Sequence, residues 1–187
     1  MQSKLKKWFF YWGIAMLVIV ICFAIFQPAK KINLQEVDFT TTQSSELYFK
    51  NMRSYFYDKT EHETANFKIY RLGSREEDSS KNKLSFMLLS NWLQSECYIM
   101  AESGVVNLKE DQLQIRYAHQ DSSGVLLLTD FDSYGNYVFA AHLYEQLDKN
   151  ATIQLKHSKK WIAFSESEKK SLKKSLSDYF KLVGKLR

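Results

Sequence analysis

Nineteen consecutive residues, Trp8 to Phe26, contain no Asp, Glu, Lys, Arg, His, Asn, Gln or Pro. At ~1.5 Å per residue a helix of this length reaches ~28 Å, close to the ~30 Å hydrocarbon core of a bilayer. A helix satisfies its own main-chain polar groups, which a lone span in lipid requires. Eleven of the nineteen are Val, Ile, Leu or Phe. At ~0.3–0.6 kcal/mol each they favour insertion by roughly 3–6 kcal/mol, with no charge opposing. The run therefore reads as a single transmembrane helix, residues 8–26, in contact with the lipid bilayer.

Lys4, Lys6 and Lys7 precede the run and Lys30 and Lys31 follow it. The positive-inside rule then favours a cytoplasmic N-terminus by three lysines to two. Residues 1–7 become a short cytoplasmic tail, 27–45 a stalk, and 46–187 an extracytoplasmic domain at the cell membrane. The rival reading is a cleaved signal peptide. It needs a shorter apolar core and small residues at its exit, whereas this exit reads Phe26-Gln27-Pro28-Ala29-Lys30-Lys31. The span holds none of the Asp, Glu, Lys, Arg or His that mark an ion path, only the mildly polar Tyr11 and Cys22. Gly13 stands alone in it, without a G-x-x-x-G partner.

The net charge of +5 belongs to the residues that flank the span: from Ile32 onward there are 21 basic and 21 acidic residues. That neutrality is uneven. Residues 32–148 carry 10 basic and 18 acidic groups, and residues 149–187 carry 11 and 3. The simple expectation is that the two parts attract and pack. The sharper one is a basic patch for lipid headgroups or an acidic partner. Cys97 is the only cysteine outside the span, so the domain has no internal disulfide and its core must suffice. Its apolar neighbours predict a buried, inert thiol.

Along the chain, the segment Leu47–Tyr57, LYFKNMRSYFY, is ambiguous. Tyr48, Met52, Tyr55 and Phe56 fit one helical face, but the crowding of Tyr and Phe favours a strand. A polar turn at Asp58–Thr64 leads to a strand at Phe67–Leu72, then to an exposed loop at Gly73–Lys83. Strands follow at Leu84–Leu89, Glu96–Glu102, Val105–Leu108 and Leu113–Ala118. Val125–Thr129 is wholly apolar and reads as a central strand. The period then changes. Tyr137, Ala140, Ala141, Tyr144 and Leu147 share a helical face, with a cap among Asp132, Ser133 and Asn136. Ala151–His157 and Trp161–Phe164 alternate as strands. Ser165-x-x-Glu168 has the form of a capping box opening a last helix, Glu166 to about Leu186. Leu172, Leu176, Tyr179 and Val183 form its apolar stripe. The whole predicts an α+β domain: one largely antiparallel sheet with two helices late in the chain.

The one constellation that invites chemistry is Thr129–Asn136, TDFDSYGN, between a strand and a helix. Asp130 and Asp132 form a D-x-D pair that suits a divalent cation. A calcium loop is excluded, because position five would be Tyr134 and position twelve Ala141. The alternative role is a helix cap. His62, His119, His142 and His157 lack zinc-ligand spacing. No G-x-S-x-G, H-E-x-x-H or glycine-rich phosphate loop occurs. Asn150-Ala151-Thr152 matches a glycosylation acceptor. Aromatic residues beside Lys50 and Arg53 suit base stacking, but a neutral extracytoplasmic domain argues against nucleic acid. No catalytic, cofactor or metal residue is therefore assigned. The leading expectation is a non-catalytic interaction or scaffolding domain, anchored beside a protein partner in a membrane-associated assembly. The alternative is an enzyme or a ligand- or metal-binding domain centred on Asp130 and Asp132.

Overall fold

The computed structural model describes residues 11–13, 16, 32–34, 36–62, 66–76, 78, 81–108, 112–120 and 122–186. The chain falls into two units, residues 1–30 and 31–187. In the first, Tyr11, Trp12, Gly13 and Met16 are helical. Most of the expected span, residues 8–26, lies outside the described residues. Among the described residues no helix is long and apolar enough to cross a membrane.

The second unit is α+β. A short helix α1 (Gln43–Tyr48) runs on through a π-helical turn (Phe49–Arg53) and a 3-10 turn (Ser54–Phe56). Then come β1 (Tyr57–His62), β2 (Phe67–Leu72), β3 (Ser85–Asn91), β4 (Glu96–Glu102), β5 (Leu113–His119) and β6 (Ser122–Leu128). The rest is α2 (Ser133–Asp148), β7 (Thr152–His157), β8 (Lys160–Ala163) and α3 (Glu166–Leu182). Eight antiparallel strands form two four-stranded sheets rather than the single sheet expected, in the orders β1-β2-β3-β4 and β6-β5-β7-β8.

Strand alternation sets what each sheet buries. In the first, Tyr70, Leu88 and Ile99 lie across from one another and are all buried. In the second, Ile115 sits opposite Leu155, and Leu113 opposite Leu128. The helix α2 packs on β4 and β6 and so touches both sheets, while α3 packs on β3, β4 and α2. The expected face of α2 is buried at Tyr137, Ala140, Ala141 and Leu147. Tyr137 meets Phe180 edge to face at 5.5 Å. The stripe Leu172, Leu176, Tyr179 and Val183 on α3 is wholly buried, so this helix docks on the core. Its capping box is formed: Glu168 N–H donates to Ser165 Oγ (3.2 Å), and Ser165 N–H to Glu168 Oε2 (2.6 Å).

Several expectations are corrected. Leu47–Tyr57 is helical up to Phe56, not a strand. A cap that the polar run Thr40–Ser45 conceals sets this: Ser45 N–H donates to Thr42 Oγ1, and Thr42 N–H to Ser45 Oγ. The stretch read as a polar turn, Asp58–Thr64, is instead mostly strand: β1 starts at Tyr57 and runs to His62. Val105–Leu108 is not a strand. The stretch read as the end of a stalk lies on the domain: Ile32 is buried, Phe39 packs on Tyr98 at 4.9 Å, and Thr40 bridges to Glu96. Val125–Leu128 belongs to β6, an edge strand rather than a central one.

The charge imbalance is not resolved by simple pairing of the two segments. Lys173 meets Asp148 and Lys185 approaches Asp38, but Arg53–Asp178 and Lys83–Glu168 run the opposite way.

Candidate functional site

Asp130 and Asp132 part company. Asp132 caps α2: its Oδ1 accepts from Gly135 N–H at 2.6 Å. Its carbonyl accepts from the Asn136 amide at 3.1 Å and carboxamide at 2.8 Å. Asn136 is itself buried and accepts from Ala101 N–H of β4 at 2.8 Å, which fastens the helix start to the first sheet. Asp130 is exposed, and its Oδ2 accepts from the Thr129 hydroxyl at 3.3 Å. Its carbonyl lies so close to Gly135 that a Cβ there would sit 2.0 Å from the oxygen. The D-F-D-S-Y-G run is thus spent on a tight, capped entry to α2. Among the described residues no three His, Cys, Asp or Glu are grouped to hold a metal. Cys97 is fully buried between strands, and burial pushes its thiol far above its ordinary range.

The surface that stands out was hidden in the misread segment. Leu47, Tyr48, Met52, Tyr55 and Phe56 are large apolar side chains left exposed within ten residues, Tyr55 at 80 %. A π turn is frequent at functional sites, and here it explains the display. Closing a wider turn, with Ser54 N–H donating to Phe49 O, places Phe49 and Ser54 inward and turns Met52, Tyr55 and Phe56 out.

The segment is clamped to the core from beneath. Phe49 inserts between Tyr57 and Tyr70, 5.5 and 5.2 Å away, the second contact edge to face. Ser45 Oγ donates to Leu182 O of α3 at 2.7 Å. Arg53 binds the buried Asp178 carboxylate with both arms, 2.7 and 2.9 Å, and Tyr57 OH donates to the same carboxylate at 2.8 Å. The hydrogen bond to Asp178 raises the Arg53 pKa, and burial next to that carboxylate raises that of Tyr57. On the outer side, Arg53 and Lys174 flank the Phe56 ring at 5.1 and 3.8 Å. Lys59 stands over Tyr55 at 5.9 Å.

Beside this face runs a groove of about 820 Å³ between α1, the β1–β2 hairpin and the β3–β4 turn. Its apolar lining is Leu47, Phe67, Tyr70, Trp92 and Leu93. Tyr70 forms the floor: burial raises its pKa, and Trp92 shares a hydrogen bond with its side chain. Leu93 projects at the tip of the turn, 81 % exposed. Of the charged groups on the rim, Glu61 pairs with Lys68 at 3.1 Å and Glu46 accepts from the Thr41 hydroxyl. With Lys50 and Lys59 the rim holds three lysines against two glutamates, a net of one positive charge.

A second groove, about 620 Å³, holds Ser74, Ser165, Ser167 and Ser171 at the start of α3. Several of its polar groups are already engaged. The capping box fills the helix end, Ser171 Oγ donates to Ser74 O at 2.9 Å, and Lys83 binds Glu168 at 3.0 Å. Asp130, Asp132 and His142 line neither groove. No family model matches the chain, and neither a curated protein nor a solved structure matches it.

Proposed function

We propose that this is a single-pass membrane-anchored protein whose α+β domain binds a protein partner, without catalysis, in a membrane-associated assembly. The observation that carries the reading is the apolar face Leu47–Phe56, exposed yet clamped by Phe49 and by Arg53–Asp178. Aromatic residues, Met and Arg are enriched in interface cores, and a rigid aromatic costs little entropy to immobilise. Exposed apolar patches of this kind commonly mark interaction sites. The adjoining groove suits an apolar side chain, and Lys50 and Lys59 on its rim favour a partner with acidic flanking groups.

Anchoring rests on the apolar run 8–26. The lysine count orients the domain away from the cytoplasm.

The test is crosslinking and pull-down of the full chain from native membranes, with Met52→Ser and Tyr55→Ser in parallel. Both side chains point outward, so the melting temperature should hold while the captured partner is lost. Unchanged capture by the double variant would overturn the reading. Protease added to sealed right-side-out membranes should digest the domain; protection until lysis would reverse the orientation.

A further inference from the structure

Each sheet has two edges, and an edge strand offers unpaired N–H and C=O groups that natural proteins charge, shorten or cover. Three of the four edges here are treated so. The β1 strand carries Asp58, Lys59 and Glu61. Two β4 amides are taken, Cys97 N–H by Phe39 O at 2.9 Å and Ala101 N–H by Asn136 Oδ1. The β8 strand has four residues and begins with Lys160. The β6 strand, SSGVLLL, has seven residues and no charge. Its outward side chains include Val125 and Leu127, about half exposed. Among the described residues, its backbone makes no hydrogen bond outside its pairing with β5. That pairing fixes its register: Gly124 leaves room for the Tyr117 ring, whose hydroxyl would lie 2.7 Å from a Cβ at that position.

We infer that β6 is a homodimer edge, pairing antiparallel with β6 of a second copy. The occupant follows from the strand itself. Antiparallel pairing of a strand with its own copy is two-fold symmetric, so the contact closes at two chains instead of propagating. In the register that sets Val125 opposite Val125, Ser123 lies opposite Leu127 and Gly124 opposite Leu126. Residues of one face then meet residues of the same face. Val125 and Leu127 of both copies merge into one apolar strip, and no like charges oppose within the strand. A charged edge such as β1 would not pair with itself so readily. The two second sheets become one eight-stranded sheet. A single strand pair is small beside the ~1,200–2,000 Å² of standard interfaces. Confinement of both copies to one membrane, on the anchoring proposed above, raises their effective concentration. The contact itself does not depend on the anchor.

The experiment uses the full chain carrying Cys22→Ser, with Cys97 retained because it is buried. Val125→Cys is added, and mild oxidation is applied both in membranes and to the purified chain in detergent at high concentration. A disulfide-linked dimer is expected from Val125→Cys. Little is expected from Ser123→Cys alone, and the cross-register product should return when Ser123→Cys and Leu127→Cys chains are mixed. Val125→Lys, which sets two lysines opposite each other, should reduce chemical crosslinking at least tenfold with an unchanged melting curve. Val125→Thr should retain the dimer. A folded Val125→Cys chain that stays monomeric in both settings overturns the inference, as does a crosslink to a different protein. Tyr55→Ser should leave the dimer intact, so failure of the partner-binding face and failure of this edge are told apart. A purified-chain dimer without membrane retention would sink only the anchor.

Discussion

Gly135→Ala sets two physical arguments against each other. Gly135 lies in the first turn of α2, where alanine is the better helix former by ~1 kcal/mol. Propensity alone therefore predicts stabilisation. The surroundings predict the reverse. A Cβ at Gly135 would sit 2.0 Å from Asp130 O and 3.2 Å from Asp132 Oδ1, and the nearer atom is backbone. To reach ordinary contact the loop must move by more than 1 Å, taking with it the carboxylate that accepts from Gly135 N–H. Overpacking typically costs ~1–3 kcal/mol, and a lost cap adds ~1 kcal/mol. Against the gain in propensity, the net is a destabilisation of ~1–3 kcal/mol. For a domain of this size that lowers the melting temperature by roughly 2–10 °C. Thermal melts of the purified chain, followed by circular dichroism, give the answer. A melting temperature equal to or above the parent's would refute the idea that the D-F-D-S-Y-G run is a close-packed helix entry, and would reopen it as a site.

The same loop yields a second expectation: Asp132→Ala costs ~0.5–2 kcal/mol in urea unfolding, while Asp130→Asn, on an exposed side chain, leaves both stability and partner capture unchanged. Leu176→Asp places a charge at a fully buried position of α3 and should abolish the cooperative transition, whereas Lys170→Gln, on the exposed side, should be silent. Tyr179 OH is buried and has no hydrogen-bond partner among the described residues, so Tyr179→Phe should hold or raise the unfolding free energy in urea, by up to ~1 kcal/mol. Acid sensitivity follows from two carboxylates. The Thr40 backbone N–H, with its hydroxyl, holds Asp38 below its ordinary 3.8. Burial alone would raise Glu168, but hydrogen bonds from Ser165 and Lys83 hold it below 4.5. Both are depressed in the folded state, so their contribution is full above those values and is lost as pH falls through them. Urea midpoints should therefore decline below about pH 4.5, and an acid limb unchanged in Lys83→Gln would contradict the Glu168 part.

What the sequence determined by itself was local. The capping box at Ser165, the apolar stripe of α3 and the face of α2 follow from periodicity and capping within one segment, and all three hold. So do β2, β4, β5 and β7, whose alternation or apolar run is read residue by residue. Long-range pairing decided the rest. Whether Val125–Leu128 is a central or an edge strand depends on which strands lie beside it, and an apolar run reads the same either way. Eight strands in sequence do not reveal that they divide into two sheets, because that depends on where α2 wedges between them. The segment Leu47–Phe56 shows the limit most clearly. The crowding of Tyr and Phe suggests a strand, yet the segment is helical and among its apolar residues Phe49 finds a socket, between Tyr57 and Tyr70. Asp178, 125 residues away from Arg53, fixes the far end of the segment. Composition says that a side chain prefers to leave water. Only the tertiary structure says which ones had somewhere to go, and the five that did not form the candidate interaction surface.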